Sequence, residues 1–138
     1  MQPAWDNFAK AWTALPFARF VLNTLFLTVV CTIGTVLSSS LVAYGFARFE
    51  FKGRNLLFMT MIATMMLPGQ VTMIPVFMIW RALGAIDTFV PLTLGAWFGG
   101  GAFNIFLLRQ FFMSIPRELD EAMLLDGASY PKIWWKLI

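Results

Sequence analysis

The chain has 138 residues, of which 59% are hydrophobic and only 12% are charged, and its mean hydropathy is +0.75. Because soluble domains carry about 25% charged residues, this composition excludes an ordinary soluble protein and indicates a membrane protein. The net charge of +3 results from ten basic and seven acidic residues. The basic residues are scattered at the ends of apolar runs, and without a clustered basic patch no nucleic acid is predicted as a partner.

Residues 1–19 interleave aromatic side chains with charged ones. This pattern is typical of a short amphipathic helix at the membrane surface, and a loop with interfacial aromatic anchors fits it equally well. The segment is not a signal peptide, because no basic start precedes a continuous apolar core. We therefore predict an external, interfacial segment.

Residues 20–47 contain no charged side chain and exceed the roughly 20 residues that cross a bilayer as a helix. A line of hydroxyl side chains falls on one face of this predicted helix, at steps of three or four. Its members are Thr24, Thr28, Thr32, Thr35 and Ser39. The face either lines a polar path or packs the helix against its neighbours, and in both interpretations it is directed at protein rather than at lipid.

The basic residues predict the orientation of the chain. Residues 48–54 form a charged turn with three basic side chains, which the positive-inside rule places in the cytoplasm. Residues 1–19 then lie outside, and residues 109–138 are cytoplasmic. The turn at residues 81–87 then also lies outside. The two inside segments together carry seven Lys or Arg residues, against three in the two outside segments.

Residues 55–80 form a second charge-free run, and its two prolines predict a span kinked within residues 68–75. In lipid, backbone groups freed by a break must be satisfied by protein or by water in a cavity. One interpretation is a broken helix with Gln70 and Thr72 in a cavity wall. The alternative is a span that ends near Pro68 and is followed by a re-entrant or interfacial helix.

Residues 88–108 form the third charge-free run, with Gly99-Gly100-Gly101 near its middle. The glycines either admit a closely packed neighbouring helix or let the backbone open near the bilayer centre. Asn104 lies one turn beyond Gly100 on the same face. An amide inside a membrane is expected to have a partner or to line water.

Residues 114–138 predict two short helices joined by a glycine turn. Pro116 lies in the first turn of the first helix, and Gly127 is placed to end it in a left-handed cap. The second helix restarts at Ser129, with an apolar face formed by Tyr130, Ile133, Trp134 and Leu137. This shape alone fits either a surface loop or an element that docks onto a partner.

The segment Glu121-Ala122-x-x-x-Asp126-Gly127-Ala128 resembles the EAA loop of permease subunits of bacterial ABC importers, with Met123 where a second alanine is usual. Other segments resemble the sugar-importer permeases of the maltose and glycerol-phosphate type, in the same order along the chain. These are Asn23-Thr24, Ala43-Tyr44-Gly45-Phe46-Ala47-Arg48, Leu67-Pro68-Gly69-Gln70, Phe106-Leu107-Leu108-Arg109-Gln110-Phe111-Phe112 and Ile115-Pro116-Arg117-Glu118-Leu119.

The resemblance implies an all-α membrane protein of the bacterial inner membrane, with three transmembrane helices and an incomplete MetI-like permease domain over residues 20–138. It implies a coupling helix that sits in a cleft of a separate ATPase subunit. The further partners implied are a second permease subunit, an extracytoplasmic solute-binding protein and a carbohydrate substrate. The small residues of the loop allow close approach to the ATPase, and its carboxylates offer charged contacts. The implied coupling residues are Glu121, Ala122, Asp126, Gly127 and Ala128.

The chain has no Gly-rich phosphate loop with lysine, so we expect ATP hydrolysis in a partner and neither enzymatic activity nor a cofactor in this chain. The candidates for lining the substrate path are Asn23, Thr28, Gln70, Thr72 and Asn104. Members of the family usually have one further span before residue 20 and two after the loop, so we expect a truncated chain or an interior fragment. The alternative function is a non-transporting membrane fragment or an assembly partner. A secondary transporter is disfavoured, because no charged residue lies inside a predicted span.

Overall fold

The computed structural model describes residues 5–14 and 16–137, and no β-strand occurs among them. These ranges form eight helices: α1 Asp6–Ala14, α2 Phe17–Arg48, α3 Arg54–Thr64, α4 Gly69–Ala82, α5 Val90–Trp97, α6 Ala102–Ser114, α7 Arg117–Leu125 and α8 Tyr130–Leu137. Two stretches, Phe17–Arg48 and Val90–Ser114, are long and apolar enough to cross a membrane, and α3 with α4 adds a third if the bent pair is one span. The predicted all-α class is confirmed.

The N-terminal segment is helical over Asp6–Ala14, as the amphipathic interpretation predicted, and its aromatic side chains Trp5, Phe8 and Trp12 are exposed. The second helix begins at Phe17, so residue 20, the predicted start of the first span, lies inside it. Its other end is Arg48, one residue beyond the predicted boundary. An uninterrupted charge-free sequence of this length sustains its own backbone hydrogen bonds in lipid.

Helix α2 is the central element, and α5 and α6 pack along its length. Gly34 provides room for α5, because a Cβ atom there would lie 2.8 Å from Trp97 Cδ1. Beside it, the Ser38 hydroxyl donates a hydrogen bond to the Ala96 carbonyl over 2.9 Å. Small and hydroxyl residues thus bring these two helices together, as they do at other membrane helix interfaces.

The predicted hydroxyl line of α2 divides into two parts. Ser39 is fully buried and donates a hydrogen bond to the Gly99 carbonyl over 3.2 Å, and Thr35 is half-buried. Thr24, Thr28 and Thr32 are exposed in this chain. The end of the line nearest α6 therefore packs helix against helix, as the second interpretation predicted.

Helices α3 and α4 meet at an angle of 97° across the four residues that separate them. The break precedes Pro68, which takes an extended conformation before Gly69 starts α4. Of the kink or break predicted within residues 68–75, a break at Pro75 does not occur, because α4 continues through this residue. One proline removes a single hydrogen bond, and the turns on both sides hold the helix across the gap.

The three glycines separate α5 from α6, and both interpretations of them hold in part. Their φ angles are +94°, +55° and +100° for Gly99, Gly100 and Gly101, so the helix opens there. Gly100 also lies against α2, because a Cβ atom on it would be 2.8 Å from the Thr35 carbonyl oxygen. Glycine is needed at this position both for its backbone angle and for the close approach.

The buried core lies at the end of the helices that carries α7 and α8. It gathers apolar side chains from α2, α6 and the last two helices. The buried members are Ala43, Tyr44, Ala47, Ile105, Phe112, Ala128 and Ile133. This core fixes α7 and α8 against the ends of α2 and α6.

Candidate functional site

Helix α7 leaves the end of α6 through two extended residues. Ile115 and Pro116 have ψ angles of +127° and +135°, and α7 starts at Arg117. Proline at this position ends α6 and sets the φ angle for a new helix. Glu118 and Asp120 occupy the first turn, where acidic side chains interact favourably with the positive end of the helix dipole.

Gly127 ends α7 in a left-handed cap, as predicted, with a φ angle of +77°. The Gly127 amide donates to the Leu124 carbonyl over 3.0 Å, and the Ala128 amide donates to the Met123 carbonyl over 2.9 Å. These two bonds form a Schellman motif and satisfy carbonyls that the helix end would otherwise leave free. The turn sets the direction of α8.

Four of the five predicted loop residues, Glu121, Ala122, Asp126 and Gly127, are exposed. Ala128 instead packs into the core. The most exposed apolar side chain of α7 is one that the sequence interpretation did not assign to the loop set: Leu125 is 90% exposed. We use the name docking surface for Glu121, Ala122, Leu125 and Asp126.

A buried ion pair fixes the face of α7 that lies opposite the docking surface. Arg48 Nε lies 2.7 Å from Asp120 Oδ2, and the two side chains are only 6% and 12% exposed. The same guanidinium donates through Nη1 to the Ile115 carbonyl over 3.1 Å. The end of α2 is thereby tied both to the first turn of α7 and to the linker that precedes it.

Helix α8 completes this end of the molecule. Ile133 is fully buried and Trp134 packs partly against the core, as the predicted apolar face requires. Tyr130 is exposed at its edge, and its ring centroid lies 5.0 Å from that of Phe49. The side chain of Leu137, the fourth predicted member, lies outside the described residues.

Asn104 lines a groove of about 720 Å³ between α2, α6 and α8. The groove has a polar wall formed by Thr35, Ser39, Ser40 and Asn104, and two tryptophans of α8 close one side. The Asn104 side-chain amide donates to the Gly100 carbonyl over 2.7 Å, which supplies the partner that its position requires. The amide thus stabilises the glycine break while it borders the groove.

Comparison with known proteins shows the family of this chain. The model of the family described as binding-protein-dependent transport system inner membrane component matches residues 34–138. The chain belongs to this family. The match includes the end of α2, the glycine break, the docking surface and α8.

Three curated relatives of this chain illustrate the similarity. The sn-glycerol-3-phosphate transport system permease protein UgpE of Yersinia pestis is 34% identical over 97% of this chain and 49% of its own length. The probable ABC transporter permease protein YurM of Bacillus subtilis is 33% identical, and the osmoprotective compounds uptake permease protein GgtD of Synechocystis is 38% identical, each over 96% of this chain and 44% of its own length. The chain spans about half the length of the curated relatives it matches.

The other predicted path residues do not line the groove at Asn104 within the described ranges. Gln70 and Thr72 are exposed on α4, beyond the bend. Asn23 and Thr28 lie towards the other end of α2, and Thr28 is exposed. Their part in a path remains a prediction.

Three residues of the site were missed in the sequence, and each left a local signal. Asp120 is an acid at helical spacing from the apolar Met123, on the face of α7 that packs inward, and Arg48 is a base at the end of a span. Leu125 follows Leu124 directly, so one helix turn cannot bury both side chains on the same face. Helical spacing alone could have separated the inward face from the outward one.

Proposed function

We propose that this chain forms part of the transmembrane subunit of an ATP-driven carbohydrate importer and contacts a separate ATPase subunit through the docking surface. The observation that carries the proposal is Leu125, which is 90% exposed on a helix whose opposite face is fixed by a buried ion pair. An apolar side chain held in this way gains about 1.5–3 kcal/mol when a partner buries it. Glu121 and Asp126 flank it with carboxylates for partner arginines or backbone amides.

The orientation follows from the distribution of basic residues. We place residues 1–19 outside and residues 109–138 in the cytoplasm of a bacterial inner membrane, where an ATPase has access to ATP. A second permease subunit and an extracytoplasmic solute-binding protein complete the proposed importer, in keeping with the family description. The relatives' names refer to sn-glycerol-3-phosphate and to osmoprotective compounds, and this supports a small polar solute as the substrate.

We assign part of the substrate path to the groove at Asn104. The hydroxyl of Thr35 and the amide oxygen of Asn104, both on half-buried side chains, can hydrogen-bond a polyol, and the adjacent tryptophan rings offer apolar faces to a sugar ring. Asn23, Thr28, Gln70 and Thr72 are the further candidates along the spans. Asn104→Ala is expected to reduce uptake while the ATPase subunit still binds.

The decisive experiment changes the docking surface without touching the core. In the importer assembled with its ATPase and solute-binding protein, Leu125→Ser is expected to abolish most substrate-stimulated ATP hydrolysis and uptake, with membrane insertion unchanged. Leu83→Ser is the matched control, because Leu83 is 68% exposed in the turn after α4. Full uptake in both variants would contradict the proposal. A chain that captures the ATPase but supports no uptake, even unsubstituted, would favour an assembly partner.

A further inference from the structure

A small cleft beside the end of α2 is surrounded by arginines. It has a volume of about 110 Å³ and collects guanidinium groups from four different helices. Arg48 ends α2, Arg54 starts α3, Arg109 lies in α6 and Arg117 starts α7. Four like charges around one cavity are unfavourable unless anions compensate them.

The carboxylates of the chain compensate only part of this charge. Arg48 is paired with Asp120, and Arg117 Nη1 lies 3.6 Å from Glu50 Oε1 in a pair whose side chains are 56% and 75% exposed. Among the described residues, neither Arg54 nor Arg109 has a carboxylate within 4.0 Å. Two positive charges of the cleft are therefore left for an external anion.

Both of these arginines are held in place. The Arg109 guanidinium carbon lies 4.2 Å from the centroid of the Phe58 ring, and its Nε donates to the Phe46 carbonyl over 3.5 Å. Arg54 donates through Nη1 to the Phe49 carbonyl over 3.2 Å. Each guanidinium has five N–H donors, so most of them remain for an anion with several acceptor oxygens.

The cleft lies where the membrane-spanning sequence ends. The charge-free run of α2 stops at Arg48, and that of α3 begins immediately after Arg54. Next to the cleft, α3 exposes apolar side chains, among them Leu56, Leu57 and Met59. An arginine cleft at the edge of an exposed apolar helix matches a ligand with an anionic head and hydrocarbon chains.

We propose that this cleft binds the phosphate of an anionic phospholipid, whose acyl chains lie along the exposed face of α3. The inference requires only that the ends of α2 and α6 lie at a membrane surface, and it stands apart from the proposed transport function. A bound headgroup would bridge the starts of α3 and α7. Helix α3 would gain most from this bridge, because within the described chain it packs mainly against α6 and only sparsely.

Native mass spectrometry of the detergent-purified chain tests the proposal. The chain is titrated with phosphatidylglycerol and, separately, with phosphatidylcholine of the same acyl chains, and the bound lipid is counted. We expect preferential retention of phosphatidylglycerol. Inorganic phosphate is then added to the same complexes. Displacement of the lipid by an equal concentration of phosphate would overturn the assignment to a membrane ligand and indicate a site for a soluble anion.

Two double variants with the same change in net charge supply the control. Arg54→Gln with Arg109→Gln is expected to weaken phosphatidylglycerol binding about fivefold for each arginine removed. Arg19→Gln with Arg81→Gln removes two exposed charges outside the cleft and should leave the affinity unchanged. Equal losses in the two pairs would overturn the proposal, because net charge alone would then explain the binding.

A single substitution keeps the test valid if the first double variant does not fold, as judged from its helical circular dichroism. Arg54→Gln alone is then compared with Arg81→Gln alone. The expected result is about fivefold weaker binding of phosphatidylglycerol in the first only. Unchanged affinity in Arg54→Gln would reject the cleft as a lipid site.

Discussion

Arg48 Nε lies 2.7 Å from Asp120 Oδ2, and this single contact joins the last residue of α2 to the first turn of α7. The pair is buried, so its net contribution to stability is small, although the loss of either partner leaves a charge without compensation. Its main effect is to fix the position of α7. The ion pair therefore also sets the position of the docking surface, which lies on the opposite face of that helix.

Asp120→Asn is expected to destabilise the purified chain by about 3–5 kcal/mol, because it leaves the buried Arg48 charge unpaired. Unfolding in detergent, followed by circular dichroism, measures the loss. Arg48→Met combined with Asp120→Leu should recover most of it, since no buried charge then remains.

Glu50→Gln is the matched control for this ion pair. It removes the carboxylate of the exposed pair with Arg117, and exposed pairs contribute little. We expect its unfolding curve to coincide with that of the unsubstituted chain. A loss for Glu50→Gln as large as that for Asp120→Asn would mean that burial does not distinguish the two pairs.

Gly127→Ala is expected to destabilise the chain by about 1–2 kcal/mol, because its φ angle of +77° is unfavourable for any residue with a Cβ atom. No steric clash contributes, since a Cβ there would meet nothing within 4 Å. Gly127→Asn should lose less, because asparagine tolerates this conformation. Thermal unfolding of the purified variants gives the comparison.

Gly45→Ala tests whether the loss at Gly127 comes from the backbone angle. Gly45 also has open space around a Cβ atom, but it lies within α2, where alanine is favourable. We expect its stability to be unchanged or slightly higher. Equal destabilisation at both positions would contradict the left-handed cap.

Gly100→Ala is expected to cost about 2–4 kcal/mol, which combines the left-handed backbone with overlap against α2. The overlapping atoms include Ser39 Oγ and the Thr35 carbonyl oxygen, and the carbonyl oxygen, as a backbone atom, cannot move aside as a side chain can. Gly95→Ala, at a position in α5 with open space, should change stability little. Matching melting temperatures for the two variants would argue against the close contact of the glycine break with α2.

Local signals predicted much of the fold. The first long helix and the cap at Gly127 were predicted correctly. Their signals, a charge-free run and a glycine after an amphipathic turn, are local in the sequence. The sequence did not show that the helix continues through Pro75, because the effect of proline depends on how neighbouring turns compensate for it. The helix break and the close packing predicted for the glycines are compatible, because Gly100 both interrupts the helix and lies against α2.

The candidate site was predicted less completely than the fold. The loop residues were predicted from a motif, whereas Arg48 and Asp120 lie far apart in the chain, so the local signal at each residue does not show that the two side chains meet. Whether a side chain of α7 is buried or exposed also depends on which face of the helix packs against the core. Ala128, chosen from the motif, is buried in this chain, while Leu125 is the side chain that projects.

The length of α2 gives the ion pair a mechanical meaning. Its 32 residues extend about 48 Å, whereas the hydrocarbon core of a bilayer is about 30 Å thick. Such a rod tilts in the membrane or extends beyond it. Because the buried pair of Arg48 and Asp120 fixes α7 to the end of this long helix, we expect any change in the tilt of α2 to move α7 with it.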